Sequence, residues 1–348
     1  MPSEQACCED YVTQRPEAYK REVVVGNTLL RDTDHITDGA EGPLAGSIDA
    51  LHTPSDVGYE RLVECKTSPT FRGLGQILLY TYFRRRDREL VRQQDNGQKL
   101  NWETTKEIKK DESHLKQEGQ GTGRTVHAKP AIDEIQQVLA VCEIDSPDAP
   151  LLSAYTDLGV TVEHRTNGTW RTLNADVFDA EPSSATPPMM SWLERNSRDS
   201  LDSSLEEQLW EANSGVVNGH PVFKEIPVGS HLYPDKQTSH RADVVVSVDN
   251  YWFIVEIKAS PNGTATSDFQ RAYGQAVGYA SLFAREWDLP RNQIIPIVIQ
   301  APLALAGGIY RDDRYDDDKR YNENSVMTWA ASSGLTEPMV LGNAQTFG

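Results

Sequence analysis

The chain of 348 residues carries 52 acidic against 34 basic side chains, a formal net charge of −18. No apolar stretch approaches the ~18 residues that a membrane span needs, and residues 1–10 lack the basic and apolar regions of a signal peptide, so we expect a cytoplasmic protein. Such acidity is typical of halophilic proteins, because concentrated salt screens the repulsion between like charges, and it restricts any nucleic-acid contact to a local basic patch.

Residues 1–178 are predicted to form a first α/β domain, because runs rich in Val and Ile alternate with longer helical patterns. The polar stretch 94–129 interrupts these patterns and is interpreted as a surface insert. In chain order the predicted elements are strands at 20–25, 46–51 and 61–66, a long helix at 71–93 and an apolar strand at 134–143.

Residues 204–348 repeat this order and are predicted to form a second α/β domain. A linker at 179–203 separates the two domains, and Pro187-Pro188 argues against a helix there. Each domain is expected to have a mixed central sheet flanked by helices, in the order α-β-β-β-α-β. The predicted elements are a helix at 200–213, strands at 222–228, 241–248 and 251–258, a helix at 267–287 and a strand at 293–300.

One residue pattern occurs in both domains: an Asp in one strand, Glu-x-Lys in the next, and Gln-x-x-x-Tyr on the following helix. A gapless overlay of residues 2–26 on 205–229, which pairs Glu22 with Glu225, leads into this pattern both times and indicates an internal duplication. The members are Asp49, Glu64, Lys66, Gln76 and Tyr80 in the first domain, and Asp243, Glu256, Lys258, Gln275 and Tyr279 in the second.

The spacing within the pattern suits a metal-assisted reaction at phosphate. Residues two apart on a strand share a face, so Glu256 and Lys258 lie on one side, where a neighbouring strand can add Asp243. Two close carboxylates repel unless a cation lies between them, and hard oxygen ligands favour Mg²⁺ or Mn²⁺, which lower the pKa of a bound water. The competing interpretation, a solvated strand of alternating charge, conflicts with the apolar residues around the motif.

This motif resembles that of the PD-(D/E)XK nuclease superfamily. The Gln-x-x-x-Tyr helix is most similar to the RecB-type and phage exonuclease-type branch, and the stretch 241–258 is also similar to NucS-like mismatch endonucleases. The resemblance implies two tandem restriction-endonuclease-like cores and a Mg²⁺- or Mn²⁺-dependent deoxyribonuclease. It implies that the motif's Asp, Glu and Lys residues are catalytic and that its Gln and Tyr residues support them. Ala242 and Ile48 replace the proline that often precedes the Asp.

The same resemblance implies further metal ligands. One is the main-chain carbonyl between Glu and Lys, that of Ile257 or Cys65. Another is a Glu from the first helix, for which Glu206 and Glu207 are the candidates, and both also fit a capping box. The gapless overlay pairs Glu207 with a Glu near the start of the chain and therefore favours Glu207. In the first domain the candidates are Glu4, Glu9 and Asp10.

Arginines are the candidate DNA contacts, since phosphate binding needs a local positive charge in so acidic a chain. Three of them end the first long helix, where they could equally complement the helix dipole. The candidates are Arg84, Arg85, Arg86, Arg241 and Arg271.

The four cysteines, Cys7, Cys8, Cys65 and Cys142, form no C-x-x-C pair. We therefore expect reduced thiols rather than a zinc or iron-sulfur site, and the cysteines of the iron-sulfur variant of the superfamily are missing.

Three functional hypotheses remain open. The first is a deoxyribonuclease with two catalytic centres, either a monomer with an internal pseudo-dimer or a homo-oligomer. The second makes one domain catalytic and the other a degenerate DNA-binding or packing partner, and it favours the second domain as the active one because its motif lies in a more apolar setting. The third is a non-catalytic scaffold that keeps the fold and binds nucleic acid or protein.

Overall fold

The computed structural model shows a mixed α/β protein with two mixed sheets and flanking helices. The chain divides into two compact units. Unit 1 comprises Met1–Ser68, Ile77–Ile144 and Val160–Leu173, and unit 2 comprises Pro69–Gln76, Asp145–Gly159 and Asn174–Gly348. The structure describes residues 3–15, 19–25, 46–52, 59–95, 134–144, 149–174, 187–233, 240–258, 265–300, 327–330 and 339–342.

Unit 1 is built on a six-stranded sheet in the order β1-β2-β3-β4-β5-β6. Strands β3, β4 and β5 run parallel, and the other neighbours are antiparallel. The first residues of the long helix α2 belong to unit 2 and the rest to unit 1. The elements are α1 (Glu4–Thr13), β1 (Lys20–Val25), β2 (Gly46–His52), β3 (Tyr59–Lys66), α2 (Phe71–Asp95), β4 (Glu134–Val141), β5 (Thr161–Thr166) and β6 (Thr169–Thr172).

Helix α1 packs on this sheet through one buried face. The Ser3 hydroxyl caps its first turn by accepting from the Ala6 amide, which satisfies one of the free amides of a helix start. Tyr11 is fully buried against Trp170 of β6, edge to face, and the Trp170 indole donates to Asp10 at 2.9 Å. The helix therefore lies directly over the strands that carry the first copy of the motif.

The same packing brings Cys7 of α1 and Cys142, just after β4, together as a disulfide with Cα atoms 6.1 Å apart, a distance that a disulfide spans readily. The expectation of four reduced thiols was therefore wrong for this pair. The two cysteines are separated by 135 positions in the sequence, and only the packing of α1 against the sheet brings them together. Cys8 and Cys65 are free and buried.

Unit 2 contains a second six-stranded sheet, in the order β7-β8-β9-β10-β11-β12. Only β9 and β10 are parallel among its described pairs. The elements are α3 (Ala149–Asp157), α4 (Met189–Asn196), α5 (Ser204–Asn213), β7 (Val222–Pro227), β8 (Arg241–Val248), β9 (Tyr251–Lys258), α6 (Ala265–Glu286), β10 (Ile294–Gln300), β11 (Met327–Ala330) and β12 (Met339–Gly342).

Helices cover both faces of the second sheet. Leu209 and Trp210 of α5 pack with Val244 and Val255 on one face, and Phe283 of α6 packs against Trp252 on the other. Glu286 fixes the end of α6, since its buried carboxylate accepts from the Gly229 amide at 2.9 Å and from the His231 amide at 2.7 Å. Strands β8 and β9 are consequently held between two apolar layers.

Two glycines allow α2 and α6 to approach closely within unit 2. A Cβ atom at Gly75 would overlap the main-chain oxygen of Gln270, and one at Gly274 would overlap the main-chain oxygen of Phe71. Each glycine immediately precedes the glutamine of one Gln-x-x-x-Tyr motif. The crossing of the two backbones therefore requires glycine at both positions.

A short helix, α4, lies inside the predicted linker 179–203 and begins directly after Pro187-Pro188. The prolines were expected to prevent a helix in the stretch that they end, most of which lies outside the described residues. Pro188 occupies the N-cap position of α4, since proline is tolerated at a helix start. The predicted insert lies outside the described residues, except for the end of α2. No helix in the described ranges is both long and apolar enough to span a membrane.

Candidate functional site

Strands β8 and β9 bring together the acidic and basic members of the second motif. The register that pairs Val244 with Val255 sets Asp243 opposite Glu256, one step further along the ladder. The Lys258 ammonium lies 3.5 Å from Asp243 Oδ2 and 3.3 Å from Glu256 Oε2. The three side chains therefore converge on one side of the sheet.

The main chain holds this arrangement in place. The Ile257 amide, between Glu256 and Lys258, donates to Asp243 Oδ2 at 2.6 Å. Lys258 Nζ in turn donates to the Ile257 carbonyl at 2.9 Å. The carbonyl that the resemblance assigns as a metal ligand therefore faces the same ammonium group as the two carboxylates.

Unit 1 repeats two of these contacts. The register that pairs Ala50 with Val63 sets Asp49 opposite Glu64. The Cys65 amide donates to Asp49 Oδ2 at 2.7 Å, and Lys66 Nζ donates to Glu64 Oε1 at 2.8 Å. The two motifs thus fold into matching constellations.

Burial is the largest influence on the pKa values of the four motif carboxylates. It raises the pKa of Glu64 to about 8, although the charge of Lys66 opposes the change. It raises the pKa of Glu256 well above the usual range, and the nearby charge of Asp243 adds to this effect. Burial also raises the pKa values of Asp49 and Asp243. These acids are therefore costly to ionise unless additional positive charge is close by.

For the two motif lysines, the neighbouring carboxylates outweigh the effect of burial on the pKa. Burial alone would lower the pKa of Lys258, but the charges of Glu256, Asp243 and Glu206 together raise it. Lys66 behaves in the same way among the carboxylates of unit 1. Both lysines are therefore ammonium groups at neutral pH.

In each unit, one oxygen of the motif glutamate has no hydrogen-bond partner among the described residues: Oε2 of Glu64 and Oε1 of Glu256. Glu256 is fully buried and Glu64 is 1 % exposed. A buried carboxylate oxygen without a partner is costly and is expected to bind something. Hard oxygen donors with an unsatisfied member fit a hard divalent cation.

The ammonium groups, however, lie where a cation would otherwise balance the carboxylates. In the described part of the chain, no group of three or more His, Cys, Asp or Glu side chains is arranged as a metal site. The chemistry of the donors therefore fits a cation, whereas a complete ligand cage is not formed.

The helical members of the motif are buried. Gln275 donates through Nε2 to the Tyr279 hydroxyl at 3.1 Å. Burial raises the pKa of Tyr279 and the charge of Glu256 adds to the shift, so this phenol stays protonated beside the carboxylate. In the first copy, Gln76 and Tyr80 are also buried, but Gln76 belongs to unit 2 and Tyr80 to unit 1.

A glutamate of the first helix lies near the motif lysine in each unit; in unit 1 it is the one that the overlay pairs, and in unit 2 it is the neighbouring candidate. In unit 2 it is Glu206, whose Oε1 lies 3.8 Å from Lys258 Nζ. In unit 1 it is Glu4, whose Oε2 lies 3.3 Å from Lys66 Nζ. Glu207, which the overlay favoured as a metal ligand, has its carboxylate engaged away from Lys258. It forms a salt bridge with the ammonium group of another lysine and accepts from a main-chain amide at 2.7 Å; the partners are Lys224 and Leu201.

The arginines that were predicted to contact DNA lie in different environments. Arg84 is wrong as a DNA contact, because it is buried and donates to both oxygens of Glu60 at 2.9 and 2.7 Å. Arg241 donates to the Glu225 carbonyl, so its guanidinium serves the fold. Arg85 and Arg271 are exposed, and the charge of Arg271 acts on Tyr279. The Arg86 side chain lies outside the described residues.

A further acidic residue was missed. Glu225 of β7 has a left-handed backbone, with φ of 54°, and its counterpart Glu22 of β1 has φ of 55°. Partners on either side in each ladder place Glu225 opposite Asp243 and Glu22 opposite Asp49. The overlay paired these two glutamates, so the sequence held a signal that was not used for the site.

No family model, curated protein or solved structure matches this chain.

Proposed function

We propose that this protein is a Mg²⁺- or Mn²⁺-dependent deoxyribonuclease that hydrolyses phosphodiester bonds. The observation that carries the proposal is the recurrence, in two units, of an Asp that accepts from the amide between a buried Glu and an ion-paired Lys. Fold stability alone gives little reason to keep these ionisable groups buried in both units, because each buried charge is costly.

In this proposal each side chain of the unit 2 site has a separate chemical role. Asp243 and Glu256 supply hard oxygen donors, and a divalent cation bound by them would lower the pKa of a water and neutralise charge on the phosphate. Lys258 is held as an ammonium group by its acidic neighbours and can orient an attacking water or bind a phosphate oxygen. Arg271 is exposed on α6 and provides a positive charge to position the DNA backbone.

One observation favours the second hypothesis, in which unit 2 is the active half. Glu225 is buried opposite Asp243, whereas Glu22 is exposed opposite Asp49. Unit 2 therefore holds a further buried carboxylate beside its motif Asp, where solvent screens its attraction for a divalent cation less.

The test is cleavage of plasmid and single-stranded DNA in high KCl across a titration of Mg²⁺ or Mn²⁺. Wild type, Lys66→Ala and Lys258→Ala are compared, with Lys224→Ala as the control because this lysine pairs with Glu207 and not with a carboxylate of the Asp/Glu-x-Lys motif. We expect wild type and the control to cut DNA, and at least one motif variant to lose activity by about 10²-fold or more.

The pattern of loss decides between the hypotheses. Loss in both motif variants indicates two cooperating centres, and loss in Lys258→Ala alone indicates that unit 2 is catalytic. Absence of cleavage by the wild type in every combination of metal, salt and DNA would contradict the nuclease proposal and favour the scaffold.

A further inference from the structure

The backbone of Glu225 is strained at a position next to the candidate site. A positive φ is uncommon for residues other than glycine and costs free energy, so it persists only where surrounding contacts impose it. The strain occurs in the middle of β7 and recurs at Glu22 in β1, each time opposite the motif Asp. Such outliers cluster at functional sites.

Contacts on both sides hold Glu225 in this conformation. Its carbonyl accepts from the guanidinium of Arg241, and its Oε1 accepts from the Asp202 amide at 3.1 Å. The residue is only 5 % exposed. The neighbouring strand and the segment before α5 therefore fix the direction of this carboxylate.

That direction brings two negative charges together. Glu225 and Asp243 are opposite one another in adjacent antiparallel strands, where side chains of facing residues are neighbours. Like charges at such positions repel, and a divalent cation removes the repulsion. Independently, Oε1 of Glu256 is buried without a hydrogen-bond partner among the described residues, and its carboxylate shares the Lys258 ammonium with Asp243.

We propose that the negative charge of Glu225, beside Asp243, increases the affinity of Asp243 and Glu256 for a divalent cation, with Glu225 acting through its charge rather than as a ligand. The inference rests on the proposed function, because it presumes that Asp243 and Glu256 bind a cation. In unit 1 the equivalent Glu22 is exposed, so its contribution is smaller there.

The experiment measures Mn²⁺ binding, from the loss of the free Mn²⁺ electron paramagnetic resonance signal, rather than activity. The full-length chain carries Asp49→Asn to weaken the unit 1 site. In this background Glu225→Gln keeps the shape and one acceptor while removing the charge. Glu211→Gln is the matched control, because Glu211 is an exposed acid on α5. Thermal unfolding in EDTA is recorded for each protein.

We expect Glu225→Gln to bind Mn²⁺ about 10- to 100-fold more weakly than the background protein, while Glu211→Gln binds normally. In EDTA, Glu225→Gln should unfold at the same temperature or higher, because a repulsion has been removed. A purely structural glutamate would behave in the reverse manner, with lower stability and unchanged binding.

A second variant, Glu225→Gly, covers the case in which glutamine is not tolerated, because glycine adopts a positive φ without strain. It should also fold and bind Mn²⁺ weakly. Normal Mn²⁺ affinity in either variant, or failure of both to fold, overturns the role of Glu225 alone. Absence of Mn²⁺ binding by the background protein overturns the cation site and the proposed function together.

Discussion

Asp243 and Asp49 show how one hydrogen bond can organise a site. Each uses one oxygen to accept from the amide that follows the motif Glu, which leaves its carboxylate beside that glutamate. The alternation of side chains along a strand predicted that Glu256 and Lys258 share a face. It could not predict how deeply these side chains are buried, because burial depends on the helices that pack over the sheet. That burial in turn raises the pKa values of the acids.

The burial of Glu64 leads to a prediction about stability and pH. Its pKa is about 8 in the folded protein, against an ordinary value near 4.3 in an unfolded chain. Between these values the folded state binds more protons than the unfolded state, so the free energy of unfolding in EDTA falls as the pH rises from 5 to 8. One such group changes it by at most about 1.4 kcal/mol per pH unit.

Denaturant unfolding in EDTA at several pH values tests this prediction. Glu64→Gln should show a shallower decline than wild type over the same range, and Glu9→Gln, which alters an exposed acid on α1, should follow wild type. Identical slopes for wild type and Glu64→Gln would mean that Glu64 is ionised throughout.

At the scale of elements, the close crossing of α2 and α6 depends on two residues without side chains. Gly75→Ala and Gly274→Ala each force a Cβ atom into a main-chain oxygen of the opposite helix, so the backbones must separate. We expect each to lower the free energy of unfolding by roughly 3 kcal/mol, the upper end of the usual cost of overpacking. The measurement is equilibrium unfolding in denaturant.

The control for this prediction is Gly215→Ala. Gly215 is exposed, and a Cβ atom there would meet nothing within 4 Å, so its effect should stay within about 0.5 kcal/mol. Equal effects at all three positions would show that the loss of a glycine, rather than the crossing, determines the outcome.

The elements that carry the motif could be predicted from sequence, because each is a long apolar or amphipathic run. The β5–β6 hairpin was missed although Asn167-Gly168, with φ of 52° and 77°, is a strong hairpin signal. The structure places Glu206 near Lys258 and pairs Glu207 with Lys224. Glu206 and Glu207 point in different directions on one helix turn, and a gapless overlay cannot distinguish a shift of a single residue.

Arg84 illustrates another limit of sequence reasoning. In the sequence it stands in a run of arginines that favours a phosphate-binding surface. Its partner Glu60 lies 24 residues earlier on β3, and only the packing of α2 against that strand brings the two together. A charge run therefore indicates a binding surface only where no buried acid lies opposite it.

At the scale of the whole molecule, acidic residues lie both on the surface and in the buried motifs. The net charge of −18 belongs to a chain that also buries several acids at its two motifs. Surface acids repel anionic DNA through a field that salt screens within roughly 3 Å at 1 M. For the proposed nuclease, this repulsion would weaken DNA binding most at low salt.

The disulfide between Cys7 and Cys142 connects the start of the chain to the middle of unit 1. Closing a loop of 135 residues restricts the unfolded chain, so reduction should lower the free energy of unfolding by about 3 kcal/mol. We expect a reductant to lower the melting temperature of wild type. Cys142→Ser should already melt at the lower temperature and should not respond to the reductant.

Thiol counting checks the same prediction without relying on stability. Unfolded under non-reducing conditions, wild type should present two reactive thiols, those of Cys8 and Cys65, and four after reduction. Four before reduction would contradict the disulfide.

Because the bond anchors α1, and α1 carries the Glu4 that pairs with Lys66, reduction should also loosen the acidic neighbour of that lysine. The redox state of the chain would then affect the unit 1 motif.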